Sequence, residues 1–393
     1  MKSIALYQNP LNATFVGDDE FLIYNLPTGK LHRFNDSAVL VIELCDGSRS
    51  VDDIAELLGT VQSFNTAKCK QWIETAVAEQ LLISDNFRQI HKSDSVTDDL
   101  AKRFAGQAGQ LRDEGLILAA FVCQNQAAML QSENPEYWLG LGELAHILGR
   151  RKNARQAYER YLDLCPDNAE ARHILMALSD QKAPERAPDE CILQLYSRFS
   201  EFYEDNMRGD LEYEAPERMQ EQLERYLERG ENLRVLELGC GTGLAGAVIR
   251  SYAGHLAGVD LSPEMVAKCQ EQDALYDALH VAEITSFLED QIVKDVSYDL
   301  IVACDTFIYF GDLAQVIGPA SKLLTPNGKL VFTVEKGDMA PFKLTDSGRY
   351  SHASSHIRSV ASNSNLNVIH LEEGFLRYEY GEPVAGWVAT LGI

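Results

Sequence analysis

A short apolar run, Arg234-Val235-Leu236-Glu237-Leu238, breaks into Gly239-Cys240-Gly241-Thr242-Gly243 and continues through Leu244 toward Tyr252. The pattern predicts a buried parallel strand, a tight turn and a helix, because glycines without a Cβ tolerate positive φ and let a ligand lie against bare backbone. Around this turn the hydrophobic pattern alternates, with strands over 234–238, 256–260, 279–282, 298–303 and 328–334 and helices over 243–252, 263–272 and 313–324. Such alternation builds right-handed βαβ units on a mostly parallel sheet, and ligands then lie beyond the carboxyl ends of the strands. An α/β domain over 190–393 is expected, entered through helices that carry Tyr196, Phe199, Phe202 and Tyr203 as candidates to close over a ligand or to pack the core.

Two cofactor classes use a glycine turn after the first strand and an acid at the end of the second. Asp260 follows Gly239 by 21 positions, and an acid so placed can accept hydrogen bonds from both ribose hydroxyls in either class. A dinucleotide fingerprint needs a further glycine at 244, where this chain has Leu244. Cys240, inside the turn, suits a small apolar filler better than a thiolate nucleophile.

The spacing Gly239-x-Gly241-x-Gly243 resembles the turn of class I S-adenosylmethionine methyltransferases. Val259-Asp260-Leu261-Ser262-Pro263-Glu264-Met265-Val266, Ala282-Glu283-Ile284, Tyr298 to Asp305 and Leu324 to Phe332 are similar to the later motifs of the same family. The resemblance implies a Rossmann-like, mostly parallel seven-stranded sheet and S-adenosylmethionine as cofactor, with S-adenosylhomocysteine as product and no metal. It further implies that Glu237, Gly239, Cys240, Gly241 and Gly243 surround the methionine end, that Asp260 holds the ribose, and that Leu261 also touches the cofactor. Met265, Glu283 and Ile284 would hold the adenine, and Asp305, Tyr196 and Tyr203 would complete the cofactor site. A narrower likeness, carried by Asp305 to Leu313, Phe332 to Glu335, Gly348 to His352, Gly381 to Gly386 and Leu211 to Pro216, is to bacterial tetratricopeptide-containing methyltransferases.

Methyl transfer is an in-line displacement, and whether it needs a base depends on the acceptor, since a carboxylate is already ionised at pH 7 while an alcohol or ammonium must lose a proton. Tyr309 and Glu335, at strand ends, and Tyr350 and His352, further along, are the polar groups expected near the transferred methyl; for His352 a structural role is the competing reading.

The first ninety residues read differently. Three short antiparallel strands over 14–16, 20–24 and 30–34 precede helices beginning at Asn35-Asp36, Ser50 and Asn65, and a closing strand at 81–83. This is a small α+β, winged-helix-like module over 1–90. Gly29 to Phe34, Asn35-Asp36-Ser37-Ala38, Glu43 to Gly47 and Ser50 to Ile54 resemble the PqqD-like peptide-chaperone family. That likeness implies a precursor peptide held on a sheet edge and the third helix by β-augmentation; a retained packing module is the plainer alternative. An all-α segment follows over 96–180. Within it Pro135 to Asn168 fits one tetratricopeptide unit, with Trp138, Leu141, Gly142, Gly149, Ala154, Tyr158 and Pro166 at the landmarks, and 168–179 supplies a helix that would cap the stack.

Fifty-nine acidic against 35 basic residues leave a net charge of −24, which opposes phosphate backbones and anionic lipid and so argues against nucleic-acid or membrane partners. The eight cysteines form no CxxC pair, and no run approaches a membrane span, so a cytoplasmic protein is expected, with homodimerisation open. The leading expectation is a methyltransferase that modifies a ribosomally made precursor peptide recruited by its first module. The alternatives are a small-molecule methyltransferase whose front segments serve assembly, and a non-catalytic scaffold with a vestigial site.

Overall fold

The structure is a computed structural model that describes residues 5–60, 65–84, 94–179, 182–199, 203–208, 212–230, 232–272, 275–339, 341–379 and 381–393. Its contacts divide the chain into two compact units, Met1–Pro166 and Asp167–Ile393. Phe202, Leu211 and the side chain of Phe199 lie outside the described residues.

In the first unit β1 (Ala5–Gln8), β2 (Asn12–Val16), β3 (Phe21–Asn25) and β4 (Lys30–Phe34) lead to α1 (Asp36–Leu44), β5 (Asp46–Ser50), α2 (Val51–Gly59), α3 (Thr66–Ala78) and β6 (Leu82–Ser84). Asn35 caps α1 through the Ala38 amide, Ser50 and Asp53 form a reciprocal capping box on α2, and Asn65 caps α3, each satisfying amides that a helix start leaves open. The strands form two three-stranded sheets, β2-β3-β4 and β5-β1-β6. This departs from the winged-helix-like description, which had no strand at Ala5–Gln8 or Asp46–Ser50; β1 pairs with both β5 and β6 in a second sheet.

Four helices complete the unit: α4 (Asp94–Asp113), α5 (Ile117–Leu130), α6 (Pro135–Ile147) and α7 (Arg151–Leu164). The hairpin and the repeat helices share a core. The Phe15 and Phe121 rings meet edge-on at 4.8 Å, and the Arg150 guanidinium lies 5.3 and 5.1 Å from their centroids. Arg150 also pairs with Glu20, and its hydrogen bond holds that carboxylate below its usual range. Gln126 accepts from the Thr14 amide at 3.0 Å and Asn125 donates to the Thr14 carbonyl at 3.0 Å, so α5 covers the outer edge of β2 and leaves β4 as the other edge of that sheet.

The second unit opens with α8 (Ala169–Ala177), which packs on α9 (Asp189–Phe199) within this unit; the sequence had placed it as the cap of the repeat stack. Next come α10 (Tyr203–Arg208), α11 (Ala215–Tyr226), β7 (Leu233–Leu238), α12 (Leu244–Ile249), β8 (Ala253–Asp260), α13 (Pro263–Gln270), β9 (Ala278–Val281), α14 (Ile284–Val293), β10 (Tyr298–Ala303), α15 (Ala314–Lys322) and β11 (Leu324–Lys336). The chain ends with β12 (Phe342–Leu344), β13 (Tyr350–His352), α16 (Ser354–Asn363), β14 (Asn367–Glu379) and β15 (Glu382–Gly392). β9-β8-β7-β10-β11 are mutually parallel, β15 runs antiparallel on β11, β14 pairs with β15, and β12-β13 extend the end of β11. The sheet therefore has nine strands, where seven were expected, because the short β12-β13 pair adds two. Helix α14 had no counterpart in the sequence reading.

Period-two alternation sorts β7 onto two cores. Leu236 and Leu238 join Val259, Ile301, Phe332 and the residues of α14, α15 and α16. Val235 faces Met219, Leu223 and Ile249 of α11 and α12. Glu237, in phase with Val235, is thereby carried into an apolar layer.

Because Phe121 fills the seam between hairpin and repeat, Phe121→Ala is expected to destabilise the first unit by about 3–5 kcal/mol. Denaturant unfolding of the full chain checks this, and a change of only a few tenths would mean that the two segments do not share a core.

Candidate functional site

The end of β7 turns sharply. The amides of Gly239 and Cys240 donate to the Val259 carbonyl at 2.7 and 3.1 Å, and Gly239, Gly241 and Gly243 all have positive φ, a region costly for any residue with a Cβ. A Cβ on Gly241 would meet nothing within 4 Å, so this part of the turn presents open backbone. Asp260 ends β8 beside it. Its Oδ2 accepts from the Gly241 amide and its Oδ1 from the Ser262 amide, both at 2.9 Å. Burial pushes its pKa up against the pull of these amides. Each oxygen retains acceptor capacity, since a carboxylate offers about four lone-pair sites.

Glu237 is 1% exposed, and Tyr276 donates to its Oε2 at 2.6 Å. Burial raises its pKa to about 8, Tyr276 opposing and the Asp260 charge adding. Sequence reasoning missed Tyr276, whose ring lies so close to Gly246 that a Cβ there would sit 2.0 Å from its hydroxyl. Gly246 in α12 was the one local signal that something approaches this helix. Cys240 is buried, with its thiol pKa pushed well up, as suits a filler.

On the adenine side, Met265 is 1% exposed and Ile284 7% exposed, while Leu261 is half-buried. Glu283 is differently employed from the expectation. It caps α14, accepting from the Thr285 and Ser286 amides, the Thr285 hydroxyl and the Arg186 guanidinium. Burial alone would raise its pKa, but these donors bring it down to about 2. With four donors its acceptor capacity is spent, so its carboxylate is a structural cap.

Beyond the turn, the ends of β10, β11 and β14 bring charges together. Arg377, whose side chain is 2% exposed, donates to Asp305 Oδ2 at 2.7 Å, pairs with Glu335 Oε1, and lies 3.5 Å from Glu379. Arg349 pairs with the other oxygen of Glu379. Asp305 has φ of +52° and donates its amide to Thr333 Oγ1 at 2.8 Å, while Thr306 Oγ1 lies 3.4 Å from the Gly239 carbonyl, joining this cluster to the glycine turn. Tyr196 and Tyr309 share a hydroxyl contact of 2.8 Å, and the Tyr203 ring packs edge-on against Tyr196. Burial raises the pKa of all three phenols, so they act as hydrogen-bonding groups and Tyr309 is no base at neutral pH. Sequence reasoning missed the roles of Arg349, Arg377 and Glu379. The register shift between Phe375 and Arg377 buries two successive side chains, Leu376 and Arg377, as a β-bulge re-aims a residue.

Two expected catalytic groups are scaffold. His352 is fully buried, its Nε2 2.8 and 3.2 Å from the Phe310 and Gly311 carbonyls, and burial lowers its pKa to about 4. Tyr350, also fully buried, donates to the Pro184 carbonyl at 2.8 Å. Both fasten β13 to neighbouring loops. Glu335 stays in the cluster, its pKa raised by burial against the Arg377 charge.

Among the described residues no group of three or more His, Cys, Asp or Glu side chains is arranged to hold a metal ion, and no helix is long and apolar enough to cross a membrane.

Residues 236–330 match the family model described as a methyltransferase domain, residues 20–71 that for coenzyme PQQ synthesis protein D, and residues 135–178 that for a tetratricopeptide repeat. Curated relatives include a malonyl-[acyl-carrier protein] O-methyltransferase of Brevibacillus brevis, 33% identical over 30% of this chain and 44% of its own length. A ubiquinone biosynthesis O-methyltransferase of Xylella fastidiosa is 27% identical over 28% and 45%. The chain thus spans less than half the length of these relatives. Among solved structures, a 1,6-didemethyltoxoflavin-N1-methyltransferase of Burkholderia thailandensis aligns with a TM-score of 0.39 at 17% identity, covering 54% of this chain and 94% of that one.

Folded Glu237 keeps its proton to about pH 8 against a reference value of 4.5. The unliganded protein should therefore lose stability as pH rises through that window, by a few kcal/mol in all. Glu237→Gln should reduce this slope in thermal unfolding measured from pH 5 to 8, leaving the smaller share of Asp260 and Glu335; an unchanged slope would contradict the assignment.

Proposed function

We propose that this chain, which joins a PqqD-like module and a tetratricopeptide segment to a class I S-adenosylmethionine-dependent methyltransferase domain, methylates a precursor peptide that its first module recruits. The observation that carries the catalytic half is Asp260: a half-buried carboxylate, oriented by two backbone amides over a glycine turn with an open face. Asp260 would take the ribose hydroxyls. Glu237 and the turn amides would hold the methionine end, and the backbone at 282–284 with Leu261 and Met265 the adenine. When bound, S-adenosylmethionine supplies an electrophilic methyl group on a sulfonium. The chain's own contribution is alignment and exclusion of water, which can provide most of the acceleration of such a displacement.

Peptide recruitment is supported by the PqqD match and by the exposed β4 strand. One side of β4 pairs with β3, and no strand pairs with its outer side among the described residues. Phe34 of β4 meets Trp72 of α3 at 6.0 Å, and Leu31 is 36% exposed. An extended segment added there would gain main-chain hydrogen bonds from the edge and side-chain contacts from α3. Recruitment raises the local concentration of the acceptor, as tethering does generally.

In titration calorimetry, Asp260→Ala should weaken S-adenosylhomocysteine binding by roughly 10- to 100-fold, the loss of one or more charged hydrogen bonds. Unchanged binding would overturn the cofactor assignment. For recruitment, Leu31→Glu should leave S-adenosylhomocysteine binding intact and sharply reduce the gain of methyl mass on precursor peptides encoded beside the gene, read by mass spectrometry. Methylation indifferent to Leu31→Glu, or confined to small molecules, would favour the reading in which the front segments serve assembly.

A further inference from the structure

In the charged cluster at the ends of β10, β11 and β14, the carboxylates of Asp305, Glu335 and Glu379 face the guanidiniums of Arg349 and Arg377. Both arginines are already engaged, Arg377 by all three acids between them and Arg349 by Glu379. One carboxylate oxygen of the cluster is not: Asp305 Oδ1 is buried and has no hydrogen-bond partner, although the Asp305 side chain is only 7% exposed. An unpaired buried acceptor costs about 1–3 kcal/mol, more when charged, and the positive φ of Asp305 adds backbone strain at the same residue. Both are expected where a ligand completes the site. The neighbouring Thr306 touches the glycine turn through the Gly239 carbonyl, and Tyr203, beside Tyr196, feels the charges of both Asp305 and Asp260.

Resting on the methyltransferase reading, we propose that the methyl acceptor is an amine nitrogen whose N–H is held by Asp305 Oδ1 within the Tyr196, Tyr203 and Tyr309 rim. A carboxylate acceptor has no hydrogen to give to Asp305 Oδ1, and would set like charge against it at a cost that grows in a low-dielectric site. An alcohol would need a base far stronger than a carboxylate to ionise it. An amine that arrives as ammonium first loses one proton to solvent, far more easily than an alcohol does, and the neutral amine then offers its lone pair. That pair forms the new N–C bond as the S–C bond breaks and its electrons pass to sulfur, leaving the neutral thioether. The nitrogen, now positively charged beside Asp305, then releases one proton through the carboxylate to solvent.

Sinefungin tests this without knowledge of the acceptor, because it carries an amine on carbon in place of the methyl-bearing sulfonium. In calorimetry on the full chain, sinefungin should bind roughly 10-fold or more tighter than S-adenosylhomocysteine, the worth of a charged hydrogen bond. Asp305→Asn should erase the preference, sinefungin affinity falling further than that of S-adenosylhomocysteine, whose retained binding reports that the variant is folded. Equal affinities in the wild-type chain overturn the proposal, and that comparison needs no variant. An equal loss of S-adenosylhomocysteine affinity in Asp305→Asn would assign the oxygen to the methionine end and overturn it too. Failure of both ligands to bind would instead remove the methyltransferase reading beneath it. With methyl-labelled S-adenosylmethionine in a cell extract, base-stable label supports the amine and base-released methanol, the mark of a methyl ester, overturns it; size fractionation of the stable label separates peptide from small-molecule amines.

Discussion

Arg377 is the interaction on which the second unit's chemistry depends. Its guanidinium is almost wholly removed from water and is held by carboxylates from three different strand ends, Asp305 after β10, Glu335 in β11 and Glu379 at the end of β14. Desolvating such ions is costly, and the arrangement persists only because every charge has an opposite partner in place. In this way the antiparallel hairpin β14-β15, which sequence adjacency alone would leave as an edge decoration, is tied to the carboxyl ends of the parallel strands. Removing the arginine would take the paired guanidinium from Asp305 and Glu335, while Arg349 stays on Glu379. Asp305 itself lies in the left-handed region, and its Oδ1 is buried with no hydrogen-bond partner.

The turn and the cluster divide the work. At the turn, glycines with positive φ leave bare backbone beside the Asp260 carboxylate, and Tyr276 holds Glu237 in the strand before it. At the cluster, phenols and paired charges surround a single unfilled acceptor. The two sites are linked by Thr306 against the Gly239 carbonyl, so a shift of one strand end would be felt at the other.

Much of this was legible because its signals are local. The glycine spacing and Asp260 lie within one βαβ unit, where turn geometry is dictated by a few adjacent residues, and the caps at Asn35, Ser50 and Asn65 announce their helices directly. What escaped depends on distant partners. Arg377 sits in an edge strand and is turned inward by a bulge that no local pattern announces. Tyr276 matters because two glycines, Gly246 and Gly258, leave room for its ring. Glu283 carried the right motif, yet helix capping and Arg186 took up its carboxylate. His352 and Tyr350 looked chemical by residue type and are occupied by backbone carbonyls. The nearness of hairpin and repeat in the first unit was equally hidden, since Phe15 and Phe121 are far apart in sequence.

The central claim is that one ligand spans turn and cluster, with its ribose on Asp260 and its sulfur toward Asp305. A crystal structure of the chain with S-adenosylhomocysteine tests it most directly. The account predicts both ribose hydroxyls on the Asp260 carboxylate and the sulfur facing the Asp305, Tyr203 and Tyr309 side chains. Ligand bound elsewhere, or with its sulfur directed away from Asp305, would contradict it.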